Sequence, residues 1–129
     1  MGIGPQLLGI GRGRNRLALE FLGLGQGVFD EECRSLFRQD LTPGLNENRS
    51  VGWQLSATPG SSAGPRLSPG AMGHTGFTGT SLWIDPQDGW ILILLTNRIH
   101  PQYRPDDMNA VRREFHRRIL ARPELLQGS

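Results

Sequence analysis

The sequence predicts an α+β fold: an antiparallel strand meander with a C-terminal helix packed on the sheet. Three observations point there. The second half of Gly73–Asp85 reads as a strand, and Asp85-Pro86-Gln87-Asp88-Gly89 reads as a hairpin turn. Pro86 presets φ and Gly89 tolerates a positive φ. The strand that follows, Trp90 to Asn97, is apolar on both faces, so something must cover it on each side. Finally, Met108, Val111, Phe115 and Ile119 recur at helical spacing and mark the covering helix.

Composition bounds the rest. The 129 residues make one domain at most, with 18 glycines and 9 prolines spread over many loops. Mean hydropathy is −0.37, and a chain of this length still buries a real core. The longest apolar run, Trp90 to Leu95, is far shorter than the roughly 20 residues of a membrane-spanning helix. Cys33 is the single cysteine, so no internal disulfide exists. All 14 basic residues are arginine. Without lysine the chain cannot by itself supply a lysine base or a Schiff base.

Along the chain, residues 1–27 are poorly assigned. Leu8–Gly13 and Leu22–Gly27 share a phrase but neither completes G-x-G-x-x-G, so a flexible loop is expected. Asn15 is expected to cap a short helix to Leu22, with Leu17 and Phe21 on one face. A clearer helix covers Val28 to Asp40, with Phe29, Cys33, Leu36 and Phe37 as its buried stripe and Cys33 an inert thiol. Asp30, Glu31 and Glu32 suit its first turn. Thr42–Asn48 is a turn-rich connection, and the sequon Asn48-Arg49-Ser50 carries no weight without a signal peptide. Val51–Leu55 alternates as a strand, which with the hairpin makes three strands. Residues 56–72 form an aperiodic loop. In the last helix Asp106 or Asp107 is the cap, Arg112, Arg113, Arg117 and Arg118 lie off the stripe, and Arg122 ends the helix before Pro123.

Chemistry concentrates at His74-Thr75-Gly76, set between Gly73 and Gly79. Glycine at a strand start lets an extended substrate approach the backbone. The Phe77 N–H would then serve as half of an oxyanion hole, a donor worth roughly 3 kcal/mol. Thr75 offers a hydroxyl and His74 a ring donor. On local pattern alone, a glycine-rich turn with a solvated His74 is the plainer account. His74, His100, His116 and Cys33 show no metal-ligand spacing, so no metal and no cofactor is expected. His100 and His116 read as solvated, and no G-x-S-x-G elbow occurs.

Gly73–Asp85, Pro86 and Trp90–Pro101, with upstream Thr42–Asn46 and Gly52–Leu55, resemble the C-terminal part of the serine β-lactamase-like, penicillin-binding hydrolases. These include class C β-lactamases, D-alanyl-D-alanine carboxypeptidases and related esterases. The match is good over 41–103, consistent over the last helix and poor over 1–40. The resemblance implies a piece of an α/β/α sandwich over 28–129. It implies that His74 stands where the family carries the lysine of Lys-Thr-Gly and helps hold a substrate carboxylate. Thr75 and Gly76 would contact and admit substrate, and the Phe77 N–H would be the second oxyanion donor.

Two departures follow. The family's nucleophile is the serine of Ser-x-x-Lys, which a chain without lysine cannot contain. The second element, Tyr-x-Asn or Ser-x-Asn, is absent too, since Tyr103 precedes Arg104-Pro105. The chain therefore reads as the C-terminal fragment of such an enzyme, inactive alone. A truncated frame, a pseudogene or a fragment of a longer enzyme would each give this pattern. The implied partners are a small-molecule or peptide substrate in the parent enzyme and a missing N-terminal half. No membrane span is expected. The start lacks a signal peptide, so cytoplasm is the default placement, although the parent enzyme suits a periplasmic one. The alternative reading is a non-catalytic interaction module using the basic C-terminal helix. Nucleic acid is not expected, because no aromatic platform interleaves the arginines.

Overall fold

The computed structural model describes residues 12–105 and 107–122, with side chains from Arg16 onward. Asp106 and Pro123, invoked above as cap and stop, lie outside the described residues. The elements are α1 (Arg12–Leu22), α2 (Glu31–Arg38), β1 (Gln54–Leu55), β2 (Met72–Thr75), β3 (Ser81–Asp85), β4 (Trp90–Leu94) and α3 (Met108–Leu120). The strands form one antiparallel sheet in chain order, β1-β2-β3-β4.

The meander thus has four strands where the sequence suggested three. The second half of Gly73–Asp85 is a strand as expected, but the first half belongs to a further strand, β2, and the two fold back on each other at Gly76–Gly79, where the Gly79 N–H donates to the Gly76 carbonyl at 3.0 Å. The hairpin from Asp85 to Gly89 forms as expected: the Gly89 N–H donates to the Asp85 carbonyl at 2.8 Å, with φ of +76°. β1 is shorter than Val51–Leu55 because the chain turns at Gly52 and the Ser50 N–H bonds the Trp53 carbonyl. β4 stops at Leu94 rather than Asn97 because Thr96 and Arg98 leave the ladder to bind the Thr78 carbonyl.

Strand alternation gives the sheet two faces. On one, Leu55, Met72 and Ile84 pack with Ala18 and Phe21 of α1, and Leu22, Phe29, Phe37 and Trp53 surround them. Phe21 lies in the middle of the aromatic group, edge-on to Phe37 at 4.8 Å and to Trp53 at 5.3 Å. On the other face Trp83 and Leu92 pack with Ala63, Leu67 and Ala71 of the irregular segment and with Ile119 and Leu120 of α3. Both faces of β3 and β4 are covered, as their apolar sequence requires.

Several helical expectations are corrected. α1 begins at Arg12, before the supposed Asn15 cap, and it buries Ala18 and Phe21 while Leu17 is half exposed. The glycine cluster after it is a folded turn rather than a loose loop. The Glu20 carboxylate, itself buried, accepts the N–H groups of Gln26 and Val28 and ties the segment back to α1. α2 is shorter than Val28–Asp40. The Asp30 side chain accepts the Cys33 N–H at 2.8 Å and so starts the helix, and Gln39 is already extended. None of its residues is fully buried: Leu36 is exposed, and Cys33 is half-buried on the stripe it was meant to anchor. α3 is capped by Asp107, whose carboxylate accepts the Ala110 N–H at 3.1 Å. Its buried face is Met108, Arg112 and His116, one position round from the expected Val111 and Phe115. Val111 is exposed.

Candidate active site

The site begins with the hairpin between β2 and β3. Its carbonyls are all taken. The Arg112 guanidinium donates to Gly76 O at 3.1 Å, Gly79 O at 3.2 Å and Thr80 O at 3.3 Å. Arg98 Nε donates to Phe77 O at 2.7 Å. The Arg98 N–H and the Thr96 hydroxyl both donate to Thr78 O at 3.1 Å. The Gly76 N–H closes the turn onto Thr80 O at 2.8 Å. The Phe77 N–H has no acceptor among the described residues.

Beside this turn lies an open cleft of about 350 Å³. Thr75, Gly76 and Phe77 form one wall, and Arg98, Asp107, Met108, Asn109 and Arg112 the other. Phe77 is 68% exposed, and its ring stacks parallel to Tyr103 at 6.2 Å. The Arg98 guanidinium lies 5.1 Å from one ring and 5.6 Å from the other, a cation–π contact at the lip.

Two guanidiniums and the Asp107 carboxylate are the charged groups of the cleft lining. Arg112 is 5% exposed and its described partners are three carbonyls and the Asn109 side chain, at 2.7 Å, with no carboxylate. Burial, and then the nearby charge of Arg98, pull its pKa below the usual arginine value. It remains a cation, because an arginine is not deprotonated in a protein. Deeper in, α3 is fastened to the irregular segment. His116 Nδ1 lies 2.9 Å from Ala63 O, and Arg113 donates to Gly60 O at 3.1 Å. Burial lowers the His116 pKa, against the opposing pull of the Ala63 and Ser62 backbone, and its Nε2 has no partner among the described residues.

The candidate residues divide. Thr75, Gly76 and Phe77 come together on one wall. His74 sits beside them on β2, opposite Leu82, but its exposed side chain is not part of the cleft lining. Alternation sends it to the sheet face opposite Thr75. His100 is exposed as expected, whereas His116 is 1% exposed and not solvated. The sequence reading missed Arg112, placing it on the outer face of the helix. The available signal was the spacing Met108–Arg112–His116, a helical stripe with two polar members. Among the described residues no group of His, Cys, Asp and Glu is arranged to hold a metal ion, and no helix is long and apolar enough to cross a membrane.

An antiparallel sheet with a helix on its outer layer and an arginine-rimmed cleft at a glycine hairpin make an α+β domain. The chain belongs to the Beta-lactamase family, whose family model matches residues 26–116. That match starts well upstream of residue 41, so α2 and its approach are family sequence as well. The chain is 33% identical over 90 residues to the "Putative D-alanyl-D-alanine carboxypeptidase" of Escherichia coli (strain K12), covering 61% of this chain. It is 36% identical over 90 residues to the protein of that name from Escherichia coli O157:H7, again covering 61% of this chain. In both cases it spans 19% of the relative's length. No solved structure matches it.

Proposed function

We propose that this chain is the C-terminal part of a serine hydrolase of the β-lactamase type, and that it supplies one wall of the active site without the nucleophile. The observation that carries this is the cleft: Thr75, Gly76 and Phe77 share a wall beside two guanidiniums, and the Phe77 N–H lacks a protein acceptor. In this reading the Phe77 N–H takes the developing oxyanion, Thr75 contacts substrate and Gly76 leaves room for it. His74, turned to the other sheet face, takes no part in the cleft in this reading. The substrate class is a β-lactam, a D-alanyl peptide or an ester. The outer edge of β4, at the end of the sheet, receives the remaining half of the enzyme.

The chain alone has no Ser-x-x-Lys, so it does not turn over. Incubation with a fluorescent penicillin or a fluorophosphonate should leave every serine unlabelled. Stoichiometric covalent labelling of a serine in the purified chain would overturn the reading. The interaction-module alternative is weakened by α3 itself. Arg112 is buried, and Arg117 and Arg118 are both bound by Glu114 at 2.7 and 2.6 Å.

A further inference from the structure

We infer that Arg112 is the positioning residue of the cleft: by holding the Gly76 carbonyl it fixes which way the Phe77 N–H points. The inference rests on the reading of Phe77 as an oxyanion donor and adds the residue that aims it. The Gly76 C=O and the Phe77 N–H are the two ends of one planar trans peptide, so they point in opposite directions. Anchoring one end sets the other. Arg112 Nη2 holds Gly76 O at 3.1 Å, supported by the Gly79 N–H at 3.0 Å. Glycine at position 76 offers little steric resistance to rotation of that peptide. The guanidinium supplies what the turn's own backbone cannot, a rigid fork that reaches Gly76, Gly79 and Thr80 at once.

The burial of Arg112 separates this role from simple packing. A cation in an apolar setting without partners is expensive, and an aliphatic residue of similar length would fill the space on α3 more cheaply. Here the cation's partners are turn carbonyls and Asn109, a residue of its own helix. Arg98 and Thr96 hold Phe77 O and Thr78 O from the other side, so the carbonyl ends of the turn are spoken for all round. Of the turn's amides, those of Gly76 and Gly79 are bonded, while those of Phe77, Thr78 and Thr80 have no acceptor among the described residues, and Phe77 is the one of these three that lines the cleft.

Two variants of the full chain test this. Arg112→Lys keeps the charge but loses the fork, and Arg112→Met keeps the length but loses the charge. In both, hydrogen-exchange protection of the Gly76 and Gly79 amides should fall by about tenfold or more, as expected for losing a hydrogen bond from a charged donor. The amides of Trp83 and Leu92 should keep their protection. Unchanged protection at Gly76 and Gly79 would overturn the inference. An equal fall at Trp83 and Leu92 would overturn it too, since Arg112 would then support only the fold. The reading beneath is tested separately, by titrating N-acetyl-D-Ala-D-Ala and following the Phe77 amide resonance. A shift in the wild type that is lost in Arg112→Lys supports both. Local loss of protection with no wild-type shift leaves Arg112 as the holder of the turn and overturns the oxyanion reading.

Discussion

Gly73 faces Trp83 across the β2–β3 ladder, and Gly73→Ala should be among the most damaging single-methyl changes in the domain. A Cβ built at Gly73 lands on the indole, in collision with Trp83 Cδ2 and 2.5 Å from Cε2 and Cε3. The ring has nowhere to go. Trp83 is fully buried, packed with Ala63, Leu67, Ala71 and Leu92, and its Nε1 donates to the Ser62 hydroxyl at 3.1 Å. Relief needs either strand separation or a tilt that breaks the bond to Ser62. Overpacking of this kind costs about 1–3 kcal/mol, and an unsatisfied buried donor about 1–3 kcal/mol more. Taking ~3 kcal/mol in all, a chain of this size should melt about 10–15 °C lower. Thermal unfolding followed by near-ultraviolet circular dichroism reads both the midpoint and the indole's packing. The same Gly73→Ala change in a Trp83→Leu background should cost under about 1 kcal/mol, because the two residues are coupled through one contact. A wild-type midpoint for Gly73→Ala, or an equal penalty with and without the indole, would refute the steric argument.

Other outcomes follow from single interactions. Ser62→Ala should destabilise by about 1–3 kcal/mol, read by denaturant titration, because it strands the buried Trp83 N–H. Asp107→Ala should cost about 1 kcal/mol through loss of the cap on α3, and helical circular dichroism should fall with it. His116 titrates below its ordinary 6.5 because burial favours the neutral ring. The unfolded chain therefore binds the proton first, and stability should fall as pH drops from about 6.5 through the folded value. That slope should flatten in His116→Gln, measured by melts between pH 7 and about pH 5. Glu114, held down to about 2 by hydrogen bonds from Arg117 and Arg118, should stay ionised in a carboxylate NMR titration carried to about pH 3. Replacing both arginines should return it to the ordinary glutamate range.

The sheet was legible because its signals are local. The Asp85–Gly89 turn, the start of the doubly apolar strand at Trp90 and a cap at Asp106 or Asp107 each depend on a few neighbouring residues; the turn and the strand's start stand where the pattern puts them, and the cap is Asp107. What escaped was set at a distance. Phe21 sits at the centre of an aromatic group drawn from residues 29, 37 and 53, and that group, not a cap at Asn15, decides how α1 lies. Residues 56–71 carry no periodicity, yet Ala63, Leu67 and Ala71 are core residues. A Ser56 hydroxyl bond to the Ser68 carbonyl closes that segment, and the Asp85 carboxylate anchors it by accepting both the N–H and the hydroxyl of Ser68. In the candidate site, Thr75, Gly76 and Phe77 were singled out through the family resemblance of the whole 73–101 stretch, since their local pattern alone reads as a plain glycine turn. Arg112 was missed because most of its described partners are backbone carbonyls, which a search for apolar spacing does not weigh.

The misplaced stripe of α3 has the same origin. A search for apolar spacing assumes that a helix meets its neighbour through hydrocarbon. α3 joins the Trp83–Leu92 cluster towards its C-terminal end, through Ile119 and Leu120, and buries Met108 at its start. Between these it meets peptide carbonyls: the 76–80 turn through Arg112, residue 60 through Arg113 and residue 63 through His116. Buried carbonyls need donors, and an apolar residue at 112 or 116 would leave Gly79 O or Ala63 O without its described donor, at about 1–3 kcal/mol each. The inner face of this helix is therefore polar by necessity, and its basic sequence is accounted for largely within the domain. Arg112 and Arg113 turn inward to carbonyls, and Arg117 and Arg118 close on Glu114. That arrangement makes α3 part of the cleft's construction rather than a free surface for an anionic partner.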